Sequence, residues 1–163
     1  MTAALLDEFK DAMAALAGGV CVVTALDADG TPRGYAATSV TSVSMRPPLL
    51  LVCQAKTSSS YELFSRCTHF GVNVLTAEQA ELAALFATPG ADRFGGTGFE
   101  TGEHGTLLHP DALASVECRR RDTVDAGDHG LLLGEVCAVR TRPGDPLVYH
   151  GRRYQRVRPL FRR

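Results

Sequence analysis

The chain has 163 residues, 45% of them hydrophobic, and its 17 Lys+Arg nearly balance 18 Asp+Glu for a formal net charge of −1. This length and composition suit one domain with a buried core, residues 1–163, and exclude disordered and fibrous classes. Near-neutrality gives no field that would recruit nucleic acid or an anionic membrane, and no apolar run reaches the roughly 18 residues of a membrane span, so neither partner is expected.

Asp7 and Glu8 stand where a secretory signal would carry positive charge, which points to a cytoplasmic protein. The five cysteines, Cys21, Cys53, Cys67, Cys118 and Cys137, show no Cys-x-x-Cys or other metal spacing. They read as small apolar residues of a reducing compartment, with no metal site.

Leu5, Phe9, Met13 and Leu16 recur at helical spacing, predicting a first helix with a packing face that stops at Gly18-Gly19. Val20 to Leu26 reads as a strand, Asp27-Ala28-Asp29-Gly30 as a turn, and Pro32 onward as the return strand of a hairpin. A hydroxyl-rich segment follows: Thr38, Ser39, Thr41, Ser42 and Ser44. These side chains either receive a polar ligand or line an ordinary solvent-facing strand. Pro47-Pro48 forces a corner, after which Leu49 to Gln54, apolar on both faces, reads as a buried strand.

Ser59-Ser60-Tyr61-Glu62 matches a capping box and predicts a helix from about Ser60 to Arg66. With Lys56, Thr57 and Ser58 upstream, that helix start offers either a phosphate cradle or a plain cap beside a solvated lysine. His69 to Leu75 alternates as a half-buried strand, and Thr76-Ala77-Glu78-Gln79 is a second capping box opening a helix that Pro89-Gly90 ends. The Gly-rich stretch from Ala91 to Pro110, headed by Arg93-Phe94, reads as a functional or mobile loop. Strands follow around Ala114 to Cys118, over Leu131 to Val139, and in a final hairpin of Leu147-Val148-Tyr149 and Tyr154 around His150-Gly151.

Six or seven hairpin-connected strands with two or three helices favour an antiparallel β-barrel over a doubly wound sheet. Gly-x-Gly-x-x-Gly, P-loop, Gly-x-Ser-x-Gly and His-Glu-x-x-His patterns are absent from the sequence, which argues against Rossmann, hydrolase and zinc-enzyme readings. Gly127-Asp128-His129 precedes a strand, either as a common turn or as an imidazole oriented by a carboxylate. Arg152, Arg153, Arg156, Arg158, Arg162 and Arg163 make a basic C-terminus, a solvated end or a guide for an anionic cofactor.

From Phe9 to Arg156 the chain resembles the short-chain flavin reductase family, the reductase partners of two-component flavin-dependent monooxygenases. The resemblance is carried by Ala17 to Thr24, Thr38 to Ser44 with Pro47-Pro48-Leu49, Phe70 to Leu75, Arg93-Phe94, Val116-Glu117-Cys118, Gly127-Asp128-His129 and Leu133 to Val136. It implies a mainly β, FMN-binding type of split barrel that forms a homodimer, binds FMN or FAD, takes hydride from NADH, with NADPH as the alternative, and serves a separate monooxygenase. It further implies that Thr38, Ser39, Val40 and Thr41 contact the flavin ring and ribityl chain, with Ser44 in the cofactor-binding set, while Cys53, Gln54, Ala55 and Lys56 pass beside the ring. Ser58, Ser59 and Ser60 would hold the phosphate, and Arg93 and Phe94 join the cofactor-binding set. Asp128 and His129 fall on the nicotinamide side, His129 as the catalytic residue, with Tyr154 assisting. The runners-up are a flavin-binding split barrel with another redox role and a non-catalytic small-molecule binder.

Overall fold

The computed structural model describes residues 2–158 and 160. Its helices are α1 (Ala3–Ala14), α2 (Tyr61–Arg66) and α3 (Ala80–Ala87), the last entered through a 3-10 turn at Ala77–Gln79. The strands are β1 (Gly18–Gly19), β2 (Cys21–Leu26), β3 (Pro32–Ala37), β4 (Val40–Met45), β5 (Pro48–Ala55), β6 (His69–Val74), β7 (Glu100–Thr101), β8 (Leu107–Leu108), β9 (Ala114–Ala126), β10 (His129–Thr141), β11 (Leu147–His150) and β12 (Arg153–Arg156). Among the described residues no helix is long and apolar enough to cross a membrane.

Seven strands form one sheet in the order β3-β2-β6-β9-β10-β5-β4, every neighbour antiparallel. Its two edges, β3 and β4, are consecutive in the chain and joined only by Thr38 and Ser39. Laid flat, edges six strand steps apart would be about 29 Å from each other. The link spans only about 11 Å at full extension, so the sheet must curl into a barrel split at that corner. The small sheet β1-β11-β12 abuts the same corner, where a Cβ on Gly18 would stand 3.2 Å from the Thr38 carbonyl oxygen. The fold class matches the expected antiparallel split barrel; the structure adds the short strands β1, β7 and β8 and sets the expected final hairpin, β11 and β12, in a small sheet with β1.

Inside the barrel Val23, Val52, Phe64, Phe70, Val72, Cys118 and Leu132 form the main core. A second core, with Val22, Leu75, Phe86 and Leu147, lies between β2 and α3. Two expectations about burial change. β6 is buried on both faces rather than one, because the segment carrying β7 and β8 covers its outer side. There the Thr24 hydroxyl donates to the Leu107 carbonyl at 2.6 Å, and Asn73 Nδ2 donates to it at 3.2 Å. Asn73 Oδ1 accepts from the His109 amide at 2.8 Å and the Ser115 hydroxyl at 3.0 Å. β5 instead alternates: Leu50, Val52 and Gln54 are buried, while Leu49, Leu51 and Cys53 stay half-exposed on the outer face.

The first helix forms, with Thr2 capping the Leu5 amide at 3.3 Å, yet buries none of its residues. Phe9 is 58% exposed and Leu16 69%. α1 is tethered at its end, where the Gly151 amide donates to Ala14 O at 2.8 Å and Arg152 pairs with Asp11 at 2.6 Å. The box at Thr76 holds, the Thr76 amide donating to Gln79 Oε1 at 2.9 Å. The one at Ser59 does not: α2 follows Ser60, which makes no side-chain cap bond, because its hydroxyl is engaged by Gln54.

The long segment from Ala91 to Pro110 is clamped by Glu117, which is 1% exposed. Its carboxylate accepts from the amides of Glu103 (2.7 Å) and His104 (2.9 Å) and from the Thr106 hydroxyl (2.7 Å). Burial alone would raise this carboxyl's pKa, but the three donors outweigh it and hold it below the usual range. A depressed pKa stabilises the fold above the unfolded-state value and loses that contribution as pH falls through the folded-state value. Glu117→Gln should therefore cost about 1–3 kcal/mol in urea unfolding at neutral pH, and the gap to wild type should close on acidification.

Candidate functional site

β5 lies between β4 and β10, and the register decides which side chains share its outer face. Thr41 stands opposite Leu51, which stands opposite Leu133; Cys53 is opposite Leu131, and Ala55 opposite His129. The result is a half-buried floor of Leu51, Cys53, Ala55 and Leu131. Along one edge run the exposed hydroxyls of Thr38, Ser39 and Thr41, pinned to the floor where the Cys53 amide donates to Ser39 O at 3.0 Å. Along the other edge lies the β9-β10 turn. Val40 is the exception in its segment, its side chain packing against the inner core. Ser44 sits past a register shift in β4, its hydroxyl accepting from the Arg46 amide at 3.2 Å.

Ala126 pairs with His129, leaving Gly127-Asp128 as a two-residue turn with Gly127 at φ +62°, where a side chain would be strained. His129 is thus the first residue of β10 rather than part of a preceding loop. His129 Nδ1 lies 2.7 Å from Asp128 Oδ1. The hydrogen bond from the imidazole holds the Asp128 carboxyl below its ordinary pKa. An ionised acceptor favours the tautomer with the proton on Nδ1, which leaves Nε2 as the acceptor nitrogen.

Lys56 binds this turn from the end of β5. Its amide donates to Asp128 O at 2.9 Å, and its Nζ donates to Asp125 Oδ1 at 2.6 Å and Gly127 O at 2.7 Å. The lysine is therefore committed to the hairpin instead of standing free beside the serines. Gln54, 4% exposed, organises those: Nε2 donates to Ser60 Oγ at 3.1 Å and Ser58 Oγ at 3.4 Å, and the Ser58 amide donates to Ala55 O at 3.0 Å. Ser59 remains exposed, and with Ser60 it lines a cleft of about 870 Å³ that also reaches Gly34 and Arg93.

Arg93 spans that wall, Nη1 donating to Gly34 O at 2.7 Å and Nη2 to Thr88 O at 2.8 Å. Phe94 turns into the second core, 5.1 Å from the Phe86 ring centroid and 5.4 Å from Phe99. Tyr154 belongs to the small sheet, in the row Gly18-Tyr149-Tyr154, on a different sheet from His129. Of the basic C-terminus, Arg152 and Arg156 pair with acidic side chains, and Arg162 and Arg163 lie outside the described residues.

One seam therefore gathers Thr38, Ser39, Thr41, Cys53, Ala55, Asp128 and His129, with Ser58, Ser59 and Ser60 at its end. Sequence reasoning missed Leu131, whose alternation with Gly130 and Leu132 was legible, and the stacked pair His69 and His104, which nothing local signals. Among the described residues no cluster of His, Cys, Asp and Glu could hold a metal.

Residues 13–158 match the model of the flavin reductase like domain. The actinorhodin polyketide dimerase of Streptomyces coelicolor is 44% identical over 146 residues, covering 89% of this chain and 82% of that protein. An FMN reductase (NADH) of Agrobacterium fabrum is 43% identical, covering 88% of this chain and 81% of its own. Other curated relatives are longer, and the chain spans 49% of one from Rhizobium meliloti. Two relatives are named as reductase components of monooxygenases. The NADH:FAD oxidoreductase of Streptomyces globisporus, solved with NAD and FAD fragments, superposes with a TM-score of 0.89 at 32% identity over 95% of this chain and 94% of that one. A barrel split beside a hydroxyl-edged apolar floor, together with these matches, places the chain in the flavin reductase like domain family.

Proposed function

We propose that this chain is a single-domain NADH-dependent flavin reductase that passes hydride to FMN or FAD and hands the reduced flavin to a separate monooxygenase. The observation that carries the reading is the open floor of Leu51, Cys53, Ala55 and Leu131, edged by exposed hydroxyls on one side and by His129 on the other. Such a surface fits a flat ring system with an apolar face and polar edges. When bound, flavin and nicotinamide supply the hydride chemistry between them. The chain's part is orientation. Thr38, Ser39 and Thr41 offer donors and acceptors to a ring edge and ribityl chain, while Ser59, Ser60 and the Arg93 guanidinium meet the phosphate end. His129, held by Asp128, would offer its second ring nitrogen to the nicotinamide and help to position it. Neither proton abstraction nor a covalent intermediate is needed.

The active form is a homodimer. Leu5, Phe9, Met13 and Leu16 expose an apolar helical stripe, and Val43 and Met45, the latter 84% exposed, extend apolar surface beside the seam. A second copy is the occupant such self-complementary surface favours. The five unpaired cysteines fit a reducing cytoplasmic setting. The dimerase relative favours a second reading, a split-barrel flavin protein with another redox role.

The purified protein should consume NADH, followed by absorbance, only when FMN or FAD is added; flavin binding without NADH consumption would instead support the second reading. His129→Ala should raise KM for NADH roughly tenfold, the scale of one lost contact of about 1.4 kcal/mol, and lower kcat by less. An unchanged KM would remove His129 from the nicotinamide side. Lys56→Met, which frees the turn, should raise the same KM by a smaller factor and speed amide exchange at Gly127 and Asp128. Phe9→Asp should shift the protein to a monomer in light scattering if α1 lies in the dimer interface.

A further inference from the structure

Gly130 stands inside β10, where a glycine weakens a strand and marks a close approach. Its φ is not in the left-handed region, so the backbone conformation does not call for it. A Cβ there would stand 2.5 Å from the Tyr61 hydroxyl oxygen, 2.7 Å from Cε2 and 3.0 Å from Cζ. The half-buried Tyr61 ring therefore lies directly against the bare backbone of the residue that follows His129. Gly130 pairs with Gln54 and Asp125, and these three share one face of the sheet, while the row of His129, Ala55 and Ala126 shares the other. The ring thus presses on β10 from the side opposite to the floor.

Both partners in this contact are held. Tyr61 opens α2, its amide donating to Ser58 O at 3.0 Å, and the helix is rooted in the main core by Phe64, which is 0% exposed. Lys56 grips the turn through Asp125 and Gly127. The side chains of Asp128 and His129 are themselves 92% and 44% exposed, joined to each other by one short hydrogen bond. A pair so open has little packing of its own to fix its place beside the floor. Lys56 restrains the turn through polar contacts, and the Tyr61 ring supplies the hard contact at the first inward-facing position of the strand.

We propose that Tyr61 is a positioning residue for His129: its ring is a wedge under Gly130 that sets where β10, and with it the Asp128-His129 pair, begins beside the floor. The link to NADH rests on the reductase function proposed above; the wedge does not. Tyr61→Ala removes the wedge and Gly130→Ala drives a methyl into it, so each should raise KM for NADH about fivefold with kcat changed by less than about twofold, on the scale of coupling between touching residues. Tyr61→Phe, which keeps the ring, should stay near wild type. In a Tyr61→Ala background the Gly130→Ala methyl meets no ring and should raise KM no further. Amide exchange, read without NADH, should quicken at Lys56, whose amide donates to Asp128 O at 2.9 Å, while the Glu103 and His104 amides on the Glu117 clamp exchange as in wild type. Should Tyr61→Ala fail to fold, Tyr61→Leu, a good helix former without the ring, takes its place in the cycle. A wild-type KM in Tyr61→Ala, additive effects of the two substitutions, a rise in KM shared by Tyr61→Phe, or exchange that quickens equally at Glu103 and His104 would each overturn the proposal. If the protein never oxidises NADH, the reductase reading falls and the Lys56 exchange alone decides the wedge; if it does and Tyr61→Ala leaves KM unchanged, the wedge falls and the reading stands.

Discussion

Two residues between the edge strands of a seven-stranded sheet are the constraint on which the rest of this structure depends. Because only Thr38 and Ser39 join β3 to β4, the sheet has to close, and closure creates an inside for Val23, Val52, Phe70 and Leu132. The same closure puts a row of hydroxyls at the seam, next to the outer face of β5. A barrel that closed by direct pairing of its edges would bury those groups in a ladder. A barrel split at a short link leaves them exposed beside an apolar floor.

The second determinant is a small set of buried polar anchors. Asn73 and Glu117 are each nearly inaccessible, and each satisfies several donors or acceptors from the segment that covers β6. A buried carboxylate is tolerated only where its lone pairs are met, so Glu117 fixes the backbone from Glu103 to Thr106 as firmly as a strand pairing would. That rigidity sets one wall of the cleft, including His104. α1 has no comparable anchor except at its C-terminal end, and its apolar stripe stays exposed.

Several residues whose type suggested ligand contact also hold the scaffold. Lys56 secures the β9-β10 turn, Gln54 spaces Ser58 and Ser60, and Phe94 fills the second core. Each supports the site indirectly: the lysine fixes where Asp128 presents its carboxylate, the glutamine fixes which serine hydroxyls remain free, and the phenylalanine seats Arg93 against Gly34. Residue type announced a polar or aromatic partner at these positions, and the chain itself supplies it.

The sequence by itself placed most of the longer strands and helices to within a few residues, because alternation, Gly and Pro punctuation and the Thr76-Gln79 box are local signals, but it stopped β9 near Cys118, well short of Ala126, and showed no strand at β1, β7 or β8. It also carried the family pattern, and with it the seam from Thr38 to Thr41 and the Asp128-His129 pair, since both are contiguous. What it could not carry is any fact that depends on a strand's neighbour. β6 reads as half-buried until the segment after Pro89 folds over it, and the apolar outer face of β5 reads as core until the register places it at the open seam. His69 and His104 lie 35 positions apart, and only the clamp on Glu117, through pairing of β6 with β9, makes them one surface. Local periodicity fixes which way a side chain points relative to its own strand; tertiary pairing alone decides what it meets there.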